Sequence, residues 1–589
     1  MTAADAGGLV RALQAAGTLA AERPGAAGAR PRGGSGGGGD GSGGGGGGGG
    51  GASVAIVGAG PGGLAAAVLL ASSGMRVTVY ESQPILGGRT ARVSAAGASG
   101  DYGFDRGPTF FMMPYVLEEV FAAAGRRLRD YVDLTRLDPM YRLLLGRPGR
   151  EPITLDATQD IAAMAQRIGA INAKDGANFA RFIDDNRRKL HAMESTLRNP
   201  QRSPLDLFTL DALKFAPMLN PHLSVHGLLS RYFEDPLVRL SVSFQSKYLG
   251  MSPFECPSLF TILPFIEYEY GIWHPRGGCN ALMDAMAKVA GELGVEIRLG
   301  TPVRRVEFAR GGVRATGIVT DQGTHPHDHV VLNADAAWAL SNLIPTDTRR
   351  IAGGTSYSNE AFNAKRYSCS TYMLYLGVRG EVDLPHHTIY VSETYEENLK
   401  DITERGTLST DPSVYVCNPS RIDPTLAPKG CSSLYVLVPT PNLKGGRSGG
   451  GGGAGGGSGA LEWSQAAAVL RGRTMEQLAK RFGLGDLASR IEAKVELTPE
   501  DWRGGNIQFG ATFNLAHSLD QMLFRRPQNK LKGFDNVYLV GGGTHPGSGL
   551  PTIFLSAHIA SRLLCKESGV AYAGDSTAVA KVAASRAMV

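Results

Sequence analysis

The residues best suited to chemistry are Gly58-Ala59-Gly60-Pro61-Gly62-Gly63. They lie between a short apolar run, Ser53–Val57, and an Ala/Leu-rich run, Gly63–Ser73, with a second apolar run at Val77–Tyr80. That order predicts strand, helix, strand, the βαβ element of parallel α/β sheets. A GxGxxG string alone recurs by chance. Between a strand and a helix, and followed by the acidic Glu81 at the end of the next strand, it predicts a dinucleotide site. Gly58 permits the tight turn, Gly60 lets the backbone approach a pyrophosphate, and Gly63 lets helix and strand pack closely. The phosphates then meet unpaired N–H groups at the helix N-terminus, with Ala59, Gly62 and Leu64 completing the expected contacts. Glu81, with Ser82 beside it, is expected on the adenosine ribose hydroxyls, where its charge repels a 2′-phosphate.

Downstream comes Gly87-Gly88-Arg89-Thr90. Here the chain resembles the glutathione-reductase-like flavoproteins of the amine-oxidase and phytoene-desaturase group, whose signature ends in such a Gly-Gly-Arg. The resemblance implies FAD, with Arg89 along its diphosphate, a position that suits a guanidinium fork, and Gly88 and Thr90 alongside. No second GxGxxG with a following acid occurs, so FAD is expected as the only dinucleotide.

The run VYLVGGGTHPGSGLPT, Val537 to Thr552, resembles the C-terminal motif of bacterial and fungal type phytoene desaturases. So do Gly103–Thr109, His274–Gly278, Asn333-Ala334-Asp335, Ser368–Thr371 and His386–Ile389. By that resemblance Gly107, Pro108 and Thr109 contact the cofactor, Val303 meets the adenine, and Gly542, Gly543 and Thr544 lie near the ribityl-phosphate stretch. Leu550 is expected at the cofactor by the same resemblance, and Pro551 at the first position of a helix, where a missing N–H costs nothing. The N–H groups of Thr552 and Ile553 are then expected at the flavin pyrimidine edge, where a helix N-terminus stabilises negative charge arriving with a hydride.

The family implied removes hydrogen from linear polyenes such as phytoene or shorter C30 relatives. A hydride goes to flavin while a proton leaves the neighbouring carbon. Such a substrate has no polar handle, so an apolar tunnel is expected, and Leu259–Ile266 with the aromatics up to Trp273 would wall it, dip into a bilayer, or simply be core. His545, His386 and His387 are candidate proton acceptors because imidazole titrates near neutral pH. Each also reads as a structural or cofactor-contact residue, and water or a backbone group is the other acceptor. The ending Ser-Gly-Leu-Pro-Thr-Ile departs from the Ala-Gly-Ile-Pro-Gly-Val associated with phytoene-using members, so chain length stays open. Carotenoid isomerase, C30 carotenoid oxygenase and amine oxidase are readings on the same scaffold. A non-redox prenyl-binding protein resembling GDP-dissociation inhibitors, or a soluble NAD-type dehydrogenase, would be another class. Gly58–Gly63, Glu81 and Arg89 speak against the first, and Gly87-Gly88-Arg89 against the second.

These groups need a scaffold, and the 589-residue chain supplies ample core, with 43% hydrophobic and 19% charged residues. Its 80 glycines concentrate in two blocks, Gly33–Gly51 and Gly445–Gly459, that cannot bury apolar surface. The fold class expected is α/β: a Rossmann-like FAD-binding domain assembled from discontinuous segments, with an inserted α+β substrate domain. Residues 1–52 form an Ala/Gly-rich extension; 53–130, 271–345 and 501–567 build the FAD domain; 131–270 and 346–500 build the substrate domain, with a Gly-rich loop at 445–459; and 568–589 form a flexible tail. The net charge of +6, without a dense basic run, argues against nucleic acid. Six cysteines lack metal-finger spacing, so no metal is expected. No run reaches the roughly 18 to 20 apolar residues of a spanning helix. The chain is expected in the cytoplasm, peripherally on the membrane that holds its substrate, with organellar targeting by the extension left open. Quinone or oxygen is expected as the electron acceptor, and the oligomeric state is open.

Overall fold

The strand Ser53–Val57 (β1), buried in all but its first residue, is the centre of a five-stranded parallel sheet. It pairs on one side with Arg76–Tyr80 (β2) and on the other with His329–Leu332, in the registers Ala55↔Thr78 and Ala55↔Val330. Glu296–Arg298 extends the sheet beyond β2, and Val537–Leu539 extends it beyond His329–Leu332. Both faces of such a sheet are covered, which is why its strands read as continuous apolar runs. The structure is a computed structural model, and it describes residues 51–207, 220–446 and 461–585. The extension expected at 1–52 therefore lies outside the described residues up to Gly50, as does most of the second glycine block.

Between β1 and β2 runs the helix Pro61–Ser72 (α1), buried from Gly62 to Leu70. Its Ala/Gly-rich surface lets it pack against β2, Asn280–Glu292 and Leu550–Glu567 at once. The expected strands Val303–Phe308 and Ala315–Thr320 form a three-stranded antiparallel sheet with Gly323–Pro326.

A seven-stranded sheet makes the second layer, in the order 491–497, 370–379, 431–440, 414–417, 387–391, 141–147, 150–157. Its second strand runs over ten residues, Ser370–Arg379, about twice the length expected from Tyr372–Leu376. Pairing on both edges, with Cys431–Thr440 and Ile491–Leu497, carries the strand past its apolar centre.

The stretch 259–273 folds into a short turn and the helix Ile262–Tyr270, with Ile262, Phe265, Ile266 and Tyr268 buried in the core, one of the three readings its sequence left open. Residues 568–585, expected as a flexible tail, carry the helix Thr577–Ser585. They are pinned because the buried Tyr572 hydroxyl meets His558 Nδ1 at 2.8 Å and Arg562 pairs with Asp575 at 3.0 Å. Among the described residues no helix is long and apolar enough to cross a membrane.

Candidate functional site

Gly58 adopts φ +100°, and its N–H donates to Tyr80 O at 2.8 Å, so the chain leaves β1 in the tight turn its glycine predicts. A Cβ on Gly63 would lie 2.1 Å from Gly58 O, a clash that only glycine avoids. Asn333, at the end of the neighbouring strand, donates from Nδ2 to Gly58 O at 3.0 Å and fixes the turn from the side. Glu81 is buried, and its Oε2 accepts the Ala59 N–H at 2.7 Å while Oε1 accepts the Gln83 N–H at 2.8 Å. It thus fastens the turn, and Oε2 keeps a lone pair for a ribose hydroxyl. Ser82 is exposed beside it, and its hydroxyl reaches Glu81 Oε1 at 3.2 Å. The segment entering Val303 runs alongside, with Thr301 N–H donating to Glu81 O at 2.7 Å.

The Gly87–Thr90 turn is tied to this loop by Gly87 N–H donating to Ala59 O at 2.9 Å. A Cβ on Gly88 would meet only the Gly60 Cα, at 3.7 Å, so two glycines face one another across an open cradle. Gly107 packs on Arg89 O so closely that a Cβ there would sit 2.5 Å away, and it carries Pro108 and Thr109 to the rim. Arg89 is not a surface charge. Its Nη1 donates to Thr512 O at 2.7 Å and Asn514 Oδ1 at 2.9 Å, drawing that segment onto the cradle. Asn514 in turn donates to the Asp335 carboxylate.

The Gly541–Thr544 loop closes the same cradle. A Cβ on Gly62 would lie 3.2 Å from the Ile553 side chain and 3.3 Å from Gly541 N, so the two motifs touch. Arg526, 2% exposed, holds the loop by donating to Gly542 O at 2.7 Å and Thr544 O at 3.2 Å, and it reaches Leu515 O at 3.3 Å. Burial pulls its pKa down to about 10, with Asp335 opposing. Arg526 and Asn514 carry no motif of their own, and the sequence reading missed both.

The helix Leu550–Glu567 begins with Gly549 at φ +112°, and its N-terminus meets that of α1. Two helix N-termini, each with a partial positive charge, face one cradle. Pro551 occupies the second helical position, one later than expected. The Ile553 N–H is already donated to Gly549 O at 2.9 Å, because the fourth helical amide always finds the cap carbonyl. Of the two expected donors only the Thr552 amide is left for a flavin. The Thr552 hydroxyl donates back to Ser548 O at 2.8 Å.

His545 carries a structural bond. Its Nε2 donates to Asn199 O at 3.0 Å and Thr196 O at 3.2 Å, closing the C-terminus of the helix Ala173–Arg198. Burial takes its pKa down to about 4, so the ring is neutral. His386 and His387, both buried, are bonded to one another at 3.1 Å at the start of the strand His387–Val391. With Cys417 they bring three atoms of ligating type within 4.8 Å, although the ring nitrogens are committed to hydrogen bonds. The sequence also missed Glu267. It is fully buried among aromatics, bonded to Tyr141 OH at 2.9 Å and Gln245 Nε2 at 3.0 Å, and burial pushes its carboxyl up to about 7.

Residues 61–355 match the model of the family described as flavin containing amine oxidoreductase. A 4,4'-diapophytoene desaturase of Methylomonas is 39% identical over 521 residues, spanning 88% of this chain and 96% of that one. An all-trans-zeta-carotene desaturase of Myxococcus xanthus is 38% identical, spanning 88% and 94%.

The chain belongs to the carotenoid desaturase family.

The family's fold is also seen in an oxidoreductase from Methanosarcina mazei, with a TM-score of 0.57 at 18% identity, spanning 86% of this chain and 98% of that one. Family membership makes this chain an FAD-dependent oxidoreductase. The cradle fits the cofactor: Gly60 and Gly88 leave side-chain-free space, two helix N-termini face it, and the buried Thr544 hydroxyl has no protein partner among the described residues. In this family member Ala59 to Leu64 and Arg89 would hold the diphosphate, Glu81 and Val303 the adenosine end, and Gly542 to Thr544 with Thr552 the flavin end.

Proposed function

We propose that this chain desaturates a long linear carotenoid precursor, phytoene or its C30 analogue, in carotenoid biosynthesis. The observation that carries this reading is the match to carotenoid desaturases along 88% of the chain. FAD when bound supplies the hydride acceptor. The chain's own part is to shape a dry approach and take up the proton. Phe110, beside the cradle residue Thr109, packs with Tyr248 and Tyr415 at ring distances of 5.2 and 5.6 Å, an apolar and aromatic lining suited to a polyene. In this reading the protein lies peripherally on the membrane that holds its substrate, and quinone or oxygen reoxidises it.

Expression in bacteria that accumulate phytoene, and separately its C30 analogue, tests the reading. New red-shifted polyene bands in either strain support it and fix the chain length. A yellow protein that leaves both substrates unchanged overturns it, and pre-desaturated substrates would then test for isomerase or oxygenase activity.

A further inference from the structure

Six buried or half-buried side chains form an unbroken line of hydrogen bonds from the cradle rim to the protein surface. Thr109 Oγ lies 2.6 Å from Tyr415 OH, which lies 2.7 Å from His387 Nδ1. His387 Nε2 lies 3.1 Å from His386 Nδ1, and His386 Nε2 lies 3.1 Å from His274 Nδ1. His274 Nε2 then meets Asp423 Oδ2 at 2.9 Å. The residues come from four separate parts of the chain. Asp423 is buried, but the residues on either side of it, Ile422 and Pro424, are exposed. Its other oxygen accepts from the hydroxyl of Thr425, which is itself exposed, at 2.6 Å.

The order of atoms matters more than the number of links. Every imidazole enters through Nδ1 and leaves through Nε2. One tautomer, with the hydrogen on Nε2, therefore satisfies all three rings at once, and every donor points toward Asp423. Burial, with the other two histidines of the line adding, holds His386 well below the usual histidine range, and burial with His274 does the same for His387, so both are neutral carriers. Burial alone would raise Asp423, but bonds from His274, Thr425 and Gly277 prevail and keep it ionised. Phe110 stacks on His387 at 4.1 Å between ring centroids and 11° between planes, holding that ring in line.

We propose that this line is the exit path for the proton that leaves the substrate during desaturation, which deepens the desaturase reading and rests on it. The substrate loses a hydride from one carbon to the flavin. The C–H bond of the neighbouring carbon breaks, its electron pair becomes the new C=C, and its proton is received at Thr109 Oγ. The Thr109 hydrogen passes to Tyr415, the Tyr415 hydrogen to His387 Nδ1, the His387 Nε2 hydrogen to His386 Nδ1, and the His386 Nε2 hydrogen to His274 Nδ1. One proton has entered and His274 has become an imidazolium paired with the Asp423 carboxylate, one residue from solvent. Its release there, and rotation of the hydrogens, resets the line. Thr109 is the catalytic residue in this scheme, and the other five carry or stabilise the proton.

The FAD-loaded protein labelled with 15N-histidine tests the direction of the line without turnover. His274, His386 and His387, assigned by single substitutions, are expected as neutral rings protonated at Nε2. A ring among them protonated at Nδ1 in the resting protein overturns the assignment. Turnover tests its use. Tyr415→Phe keeps the ring and removes one link, so it should retain flavin and melting temperature while slowing single-turnover desaturation about 10²-fold, the range of lost acid–base assistance. The proton inventory in mixed light and heavy water should be curved for the wild type and lose that curvature in Tyr415→Phe. Tyr390→Phe, in the same sheet but bonded to Asp411, should change neither. Tyr415→Phe within twofold of the wild type, with an unchanged inventory, overturns the relay while leaving the desaturase reading intact. A stoichiometric metal lost from His386→Asn would also overturn it, because the lone pairs it needs would be occupied. Wild-type protein that forms no conjugated product overturns the desaturase reading instead.

Discussion

Gly60 and Gly88 face one another so closely that a Cβ on Gly88 would stand 3.7 Å from the Gly60 Cα, with no other heavy atom near it. The first glycine belongs to the turn after β1 and the second to the Gly-Gly-Arg turn. Neither carries a side chain, so a pyrophosphate can lie against both backbones, where a bulky side chain on either would intrude. Gly60→Val is expected to abolish FAD binding. Its Cβ would lie 3.2 Å from Asn333 Nδ2, and its methyl groups would enter the cradle. The check is the flavin absorbance of the purified variant, and a yellow protein would refute the cradle.

Arg526 is expected to matter for loop geometry as well as charge. Arg526→Met leaves the Gly542 and Thr544 carbonyls buried without their donor, although it removes the cost of a buried cation. Unpaired buried polar groups cost about 1–3 kcal/mol each, so the variant should melt several degrees lower and lose FAD on gel filtration. Unchanged melting with tight FAD would show that the carbonyls find other partners.

Glu267 gives a pH signature. Its carboxyl is raised from 4.5 to about 7 in the folded protein, so the folded state holds a proton that the unfolded state has released. Stability therefore falls as pH rises from about 4.5 to about 7, by a few kcal/mol on the order of the shift, and stays low above it. Glu267→Gln lacks this loss. Relative to the wild type it should gain melting temperature between pH 5 and pH 8, and an equal difference at both pH values would contradict the assignment.

His545→Gln keeps a donor for Asn199 O and Thr196 O and cannot act as an imidazole base. It is expected to retain FAD and to desaturate within about threefold of the wild type, since loss of a general base would cost 10²-fold or more. A loss of that size with normal folding would return His545 to the list of proton acceptors.

The nucleotide half of the site was legible because its information is local. The turn glycines, the strand before them and the acid after β2 sit within one βαβ unit, and the periodicity placed β1, α1 and β2 within a few residues. The rest depends on contacts across the fold. Asp423 meets His274 over a separation of 149 residues, and Arg89 meets Asn514 over 425, with no spacing rule to announce either. The spent Ile553 amide turned on the helix register, which an apolar pattern locates only to a residue or two. The ordered tail followed from one buried tyrosine, Tyr572, whose partner His558 lies on another helix.

The central claim is that hydrogen removed from a polyene arrives on the flavin held in this cradle. Purified protein loaded with FAD should be mixed with phytoene, or its C30 analogue, in liposomes without oxygen or quinone. The account predicts that the yellow flavin absorbance bleaches as a longer polyene band grows, one conjugated double bond for each flavin reduced. A polyene change with the flavin still oxidised, or a bleached flavin without new conjugation, would contradict it.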